Sequence, residues 1–402
     1  MTLIEGREAG RLDRLPALGR LVPDPERFAA QSWGREPVLT RASDLPGDVA
    51  ELFSEDAVDE LVSRRGLRTP FLRVAKNGQT LGNNAFTSGG GVGAGIADQL
   101  DDTALTRLFA EGSTLVLQAL HRTWPALIDF SERLGADLGH PVQVNAYVTP
   151  PQSRGFDDHY DVHDVFVVQV AGAKRWRIHA PVHEAPLRDQ PWTERRAAVE
   201  ERAAQECLID EVLEPGDCLY LPRGTLHAAT ALGDVSTHLT FGVHTWSHHH
   251  VAEELAAAAV RALRDDVEVR GSLPMGRAAD DPAAVQEALA LVRGRLLEAV
   301  ETVAADEIER VLRERVRASG RPAPVGPLTQ LRAARDLEAS TVVTLRRGLR
   351  LRADDAELAD VPSPAATALL EGGSLPAADL GLEVARRLVG VGTLLVQAPD
   401  AG

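Results

Sequence analysis

The spacing of apolar positions changes character along the chain. Between 116 and 135, Val116, Leu120, Trp124, Leu127 and Ile128 recur near the helical period, which predicts a helix kinked or split at Pro125. Before it, "PERFAAQSW" and "SEDAVDELVSRRG" predict short helices, the second capped by Ser54 and stopped by Gly66. "PFLRVAKNG" alternates like a strand and ends in an Asn-Gly turn. From about 142 to 246 the period falls to two. The runs "VQVNAYVTPP", "DVFVVQVAG", "KRWRIHAP", "CLIDEVLEPGDCLYLPRG" and "STHLTFGVHTW" are rich in Val, Phe, Tyr and Thr and are punctuated by Pro and Gly, so an antiparallel barrel or sandwich is expected.

From 251 the helical period returns. "VAEELAAAAVRALRDD" predicts one helix, and Val285, Leu289, Val292, Leu296, Val300 and Val303 form a stripe that predicts a single long helix over 284–317, suited to a helix hairpin or, in preference, to a subunit interface. "GRPAPVGP" reads as a linker, "STVVTLRRGLRLRADD" as a hairpin, and the remainder as helix, turn, helix and terminal strand, similar to a small winged-helix unit. The expected organisation is an α+β chain: a mixed part over 1–115, a β-rich core over 116–250, a helical region over 251–320 and a small terminal domain over 328–402.

Composition narrows the function classes. The 402 residues are 44% hydrophobic and 25% charged, an ordinary globular balance, and the net charge of -16 disfavours a phosphate backbone as partner. Within 362–402 two arginines, Arg386 and Arg387, face four acids, Glu371, Asp379, Glu383 and Asp400, so direct nucleic-acid binding by that unit is not expected. Cys207 and Cys218 are too few and too loosely spaced for a disulfide framework or a Cys-rich zinc site, and they read as free thiols. The first twenty residues carry Glu5, Glu8 and Asp13 and lack an apolar signal region, and no window reaches the roughly 18 apolar residues of a membrane span. A cytoplasmic protein is expected. "TSGGGVGAG" has no preceding strand and no following Lys-Ser/Thr, so it reads as a surface loop.

The chemistry concentrates in "HYDVHDVFVVQVAGAKRW". His159 and Asp161 stand two apart, so in a strand their side chains share a face. His227, in "GDCLYLPRGTLHAA", is the third candidate ligand. Two histidines and a carboxylate form the facial triad of non-haem Fe(II) oxygenases, with positions left for O2 and substrate; zinc is also chemically compatible. Lys174 shares a face with Trp176 and Ile178, and a buried ammonium there needs an anion that its own strand lacks. The carboxylate of a small cosubstrate such as 2-oxoglutarate would supply it. His163 and Asp164 read as structural or as supports for the ligands, His238 and His244 as core histidines, Trp176 as core, and "SHHH" at 247–250 as a helix cap. Asn145 and Tyr147 share a strand face and can point inward together.

The blocks "NAYVTPPQSRGFDDHYDVHDVFVVQVAGAKRWRIH", "PGDCLYLPRGTLHAA" and "STHLTFGV" resemble the JmjC-type 2-oxoglutarate oxygenases, closest to their ribosomal oxygenase branch, and the resemblance runs through the whole chain in order. It implies a JmjC double-stranded β-helix, a cupin-like jelly roll, followed by a helical dimerisation region and a C-terminal winged helix. It implies Fe(II) on His159, Asp161 and His227, the far carboxylate of 2-oxoglutarate at Lys174, and Asn145 and Tyr147 near the substrate. The implied reaction consumes O2 and 2-oxoglutarate, releases succinate and CO2, and hydroxylates a ribosomal protein side chain, arginine in bacterial members and histidine in eukaryotic ones. Histidine-hydroxylating relatives carry Ser where this chain has Gly242, which favours arginine. The same chemistry on another peptide or a small molecule is the alternative. A metal-binding cupin without turnover, or a winged-helix regulator, is the alternative from another class.

Overall fold

The computed structural model describes residues 16–76, 78–151, 153 and 156–397. The N-terminal signal expectation therefore falls largely outside the described residues. Two compact units divide between Thr245 and Trp246.

The first unit is built on a nine-stranded sheet. Its strands are β1 (Val38–Thr40), β2 (Leu72–Lys76), β3 (Gln79–Thr80), β6 (Thr114–Leu117), β7 (Val142–Thr149), β8 (Asp164–His179), β9 (Ile209–Leu213), β10 (Cys218–Leu221) and β11 (Leu226–Val243), while β4 (Thr87–Ser88) and β5 (Gln99–Leu100) pair apart. The order is β1-β10-β8-β11-β7-β6-β2-β3, with β9 also on β8, and every pairing is antiparallel.

Two long strands carry the architecture. β8 and β11 pair twice, Asp164–Ala171 against Thr237–Val243 and Ala173–His179 against Leu226–Leu232, with an irregularity between. Gly172 sits at that point with φ +62°, and a Cβ there would stand 2.0 Å from the Val235 carbonyl oxygen. Only glycine lets the two backbones meet so closely. Alternation along β8 then feeds two cores. Phe166 and Val168 join Leu127, Phe130, Val144, Ala146 and Phe241 beneath the helices, while Val165, Val167, Trp176 and Ile178 join Leu213, Leu219 and Leu221.

Several local readings correspond to the structure. Ser54 accepts the Ala57 N–H at 3.2 Å and caps the helix Glu55–Ser63; β2 and β3 form the expected hairpin. The helix expected from 116 begins later. Val116 is central in β6, the chain turns at Ala119 with φ +56°, and Pro125 opens the helix Pro125–Leu138. Strand pairing on both edges of β6 overrides a spacing that only mimics a helical face.

The second unit differs more from expectation. The single helix over 284–317 is two helices, Pro282–Thr302 and Ala305–Ser319, with Asp306 and Glu307 favouring a fresh N-terminus. The Arg-rich stretch forms no hairpin with itself. Its only strand, β12 (Val342–Leu345), is flanked by β13 (Ser374–Pro376) and β14 (Leu394–Val396), so both its edges are already paired. With the helices Pro327–Arg335, Ser363–Leu370 and Leu382–Gly390 this small sheet closes a core around Val343, Leu369 and Leu388. "SHHH" is a cap: Ser247 and His250 form a reciprocal box at the start of the helix His248–Ala262. Among the described residues no helix is long and apolar enough to cross a membrane.

Candidate metal and cosubstrate site

His159 lies ahead of β8 and Leu226–Val243 carries His227, and a two-bond antiparallel bridge joins them. The His159 N–H donates to the His227 carbonyl at 3.2 Å, and the His227 N–H returns the bond at 2.9 Å. The pair His159 and Asp161 was expected within a strand. It sits instead in the short segment entering β8, pinned by this bridge and by Gly224, whose N–H donates to the Asp161 carbonyl at 2.9 Å. A Cβ on Gly224 (φ +88°) would meet the His183 carbonyl oxygen at 2.4 Å, so the Pro-Arg-Gly turn that delivers His227 has a steric reason.

The two imidazoles are held by the same kind of contact, with their rings tilted 54° to one another. His159 Nδ1 lies 2.7 Å from the Asp157 carbonyl oxygen, and His227 Nδ1 lies 3.0 Å from that of Thr225. A carbonyl can only accept, so Nδ1 carries the hydrogen and each Nε2 keeps its lone pair. His227 Nε2 stands 3.7 Å from Asp161 Oδ2, and one donor atom from each of His159, Asp161 and His227 lies within 4.8 Å of the others. Burial, then repulsion from His159, pushes the His227 imidazole down to about 4. Burial alone would raise the Asp161 carboxyl, but His163, His159, His227 and Arg73 hold it below the usual range. Two neutral imidazoles and an ionised carboxylate, with free lone pairs converging, are a donor set that fits a divalent metal.

Lys174 sits deeper in the same cavity of about 230 Å³. Its ammonium is buried, donates to Thr149 Oγ1 at 3.1 Å and lies 3.4 Å from His238 Nδ1. Neither partner is an anion, and burial lowers the lysine to about 7. The Trp176 indole N–H, also in this wall, has no acceptor. A cation and an orphan donor facing an internal space fit a small carboxylate. His238 is the buried histidine expected, yet it is part of the wall: it stacks on Tyr147 at 4.8 Å and meets Trp176 edge-on at 5.3 Å.

The structure separates the remaining candidates. Tyr147 lines the cavity together with Arg73 and Thr240, and burial raises its phenol above the usual range. Asn145 shares its sheet face; its Oδ1 accepts the Ala119 N–H at 3.1 Å, and Asn145 is not among the cavity residues. Asp164 does not reach a ligand histidine. Fully buried, it accepts Tyr220 Oη at 2.7 Å and the Arg223 N–H at 3.1 Å. The His163 ring packs on Gly242, whose added Cβ would stand 2.7 Å from it. Glycine at 242 therefore answers to His163, and Gly242 does not line the cavity. Sequence reasoning did not single out Arg73, Thr114, Phe156, Trp192 or Thr240, which all line it. They come from distant segments, and only the parity of Thr240 with His238 along β11 hinted at any of them.

Comparison with known proteins gives a family context. Residues 126–251 match the JmjC domain family. The chain is 32% identical over 257 residues to ribosomal oxygenase 1 of Gallus gallus, an alignment covering 62% of this chain and 40% of that protein. It is 40% identical over 137 residues to the bifunctional lysine-specific demethylase and histidyl-hydroxylase NO66 of Drosophila erecta, covering 33% of this chain and 20% of that one. The chain thus spans well under half the length of these curated relatives. In structure it is similar to the Escherichia coli ribosomal oxygenase YcfD, with TM-score 0.54 at 19% identity over 94% of this chain and 99% of that one. YcfD has also been solved with cobalt and 2-oxoglutarate, and that complex matches with TM-score 0.53 at 18% identity over the same shares. This likeness establishes the cupin-like JmjC fold.

Proposed function

We propose that this chain, which carries a JmjC domain over residues 126–251, is an Fe(II)- and 2-oxoglutarate-dependent hydroxylase acting on a ribosomal protein side chain. The observation that carries the proposal is the coexistence, in one cavity of about 230 Å³, of a converging His159, Asp161 and His227 set and a buried Lys174 with no anionic partner among the described residues. A metal-binding module alone would leave the cost of the buried lysine unexplained. The curated relatives' names favour a ribosomal substrate.

Fe(II), when bound, supplies the redox chemistry that couples decarboxylation of 2-oxoglutarate by O2 to hydroxylation of a C–H bond. The chain's own residues do the rest. Carbonyls of Asp157 and Thr225 fix the histidine tautomers, so the ligand atoms are preorganised. Lys174, held by Thr149, binds the far carboxylate of the cosubstrate and sets its orientation. Val165, Val167, Trp176, Leu221 and Ala228 make the cavity apolar around these groups and exclude water. Tyr147 and Trp192, which line the same cavity, would contact the incoming side chain.

Pairing of two copies through the helical region is part of the same proposal: Val285, Leu289, Leu291 and Leu297 on the helix Pro282–Thr302 are exposed. So are a cytoplasmic location and a winged-helix role for the small β12–β14 unit as a protein-contact module.

The test compares intact masses of ribosomal proteins from the native host with those from a strain carrying His159→Ala. One protein should lose the mass of a single oxygen atom in the mutant. If every mass is unchanged, the ribosomal assignment is wrong. Succinate release by the purified protein, abolished in His159→Ala and Lys174→Ala, tests the oxygenase chemistry independently of the substrate.

A further inference from the structure

The proposed hydroxylation gives a task to the metal-facing and cosubstrate-facing charges of the cavity, but none to Arg73. This residue extends from β2 into the cavity wall, half-buried, with its guanidinium 5.6 Å above the Phe156 ring and Tyr147 in the same wall. It makes no ion pair among the described residues, and its Nε is buried without an acceptor. Apart from its histidines, the lining holds two basic side chains, Arg73 and Lys174, and a single carboxylate, Asp161. A divalent metal is matched by Asp161, and a dicarboxylate by the metal and Lys174. The charge of Arg73 is left over.

We infer that Arg73 is a specificity-determining residue that repels cationic side chains and donates to a hydrogen-bond acceptor on the substrate. The side chain offered for hydroxylation is therefore of the amide, imidazole or carboxylate class rather than a guanidinium or ammonium. The inference rests on the hydroxylase reading. It sets aside the arginine expected from Gly242, a position that the packing of His163 explains without reference to substrate. A guanidinium inside a cavity of this size would lie within several ångströms of Arg73, where like charges repel strongly in a low-dielectric setting. The acids Asp157, Asp158 and Glu200 offer no relief inside it. They line a separate cavity that shares only Trp192 with the first.

The experiment titrates the protein, loaded with Zn(II) and 2-oxoglutarate to prevent turnover, with N-acetyl amides of Gln, His, Arg and Lys, read by fluorescence of Trp176 and Trp192, which line the cavity. The neutral probes should bind at least about tenfold more tightly than Arg or Lys. Arg73→Gln should shrink that preference below about threefold, and Arg73→Lys should keep it. Equal binding of the Arg probe to wild type, or an undiminished preference in Arg73→Gln, overturns the assignment. In parallel, fragmentation of whichever ribosomal protein is oxidised should place the oxygen on a non-cationic residue. Oxygen on arginine or lysine overturns the inference and leaves the hydroxylase reading intact, whereas absence of any succinate release with Fe(II) removes both.

Discussion

His159 and His227 hold each other by backbone bonds as well as sharing a site: each donates its N–H to the other's carbonyl, at 3.2 and 2.9 Å, and their rings lie 4.4 Å apart. Two ligand positions nearly seventy residues apart in sequence are thus fixed before any metal arrives. The triad should bind metal as a preformed set. His159→Ala leaves the bridge, which uses only backbone atoms, so the fold should persist by far-UV circular dichroism while metal affinity falls by about a hundredfold or more. Equilibrium dialysis with Co(II) measures it; unchanged affinity would exclude His159 as a ligand.

Lys174 should trade stability for function. Lys174→Met removes a buried charge with no anionic partner, so the ligand-free protein should gain about 1–4 kcal/mol at neutral pH while 2-oxoglutarate binding is lost. Urea unfolding and calorimetric titration check the two halves separately. A destabilised Met variant would mean that the ammonium is satisfied in the ligand-free fold.

The same lysine sets a pH dependence. Burial lowers it from 10.5 to about 7, so between those values the unfolded chain binds the proton and the folded chain does not. Its contribution to stability should therefore rise with pH across that window and be flat outside it. The cosubstrate carboxylate needs the charged form, so 2-oxoglutarate affinity should fall as pH climbs above about 7, and binding near pH 8 should take up a proton. Calorimetry in two buffers of different ionisation enthalpy detects that uptake; its absence would show that Lys174 is already charged at pH 8.

Asp164 should prove structural. Its carboxylate accepts Tyr220 Oη at 2.7 Å and the Arg223 N–H at 3.1 Å with no exposure to solvent. Asp164→Asn should cost about 1–3 kcal/mol in urea unfolding. Metal stoichiometry should stay at the wild-type value, and a loss of metal without loss of stability would reassign the residue.

Gly172→Ala tests the bend. With φ +62° and the Val235 carbonyl oxygen 2.0 Å from the new Cβ, the strand must shift, and a loss of several kcal/mol or failure to fold is expected. Gly233, also at positive φ (+69°) but with nothing within 4 Å, should tolerate Ala at about 1 kcal/mol. Equal tolerance at both positions would remove the steric account.

The sequence by itself determined the fold class and singled out the residues of the candidate metal and cosubstrate site. His-x-Asp before an apolar run, a lysine of core parity and a histidine after Pro-Arg-Gly carry their meaning in residue type and spacing, because ligand donors and buried charges have few other uses. Tertiary structure decided what spacing cannot encode. Val116 has helical neighbours in sequence but lies in β6 because two strands claim it. Asn145 and Tyr147 share a face, yet a bond to Ala119 takes one and the cavity takes the other. Gly242 reads in sequence as a clue to substrate, whereas in the fold the His163 ring packs against it. Arg73 carried no signal at all, since its place in the cavity wall comes from groups brought beside it from 147, 156 and 161. A motif fixes which atoms can react, whereas the charge and shape of the space around them are sums over segments that meet only in the folded chain.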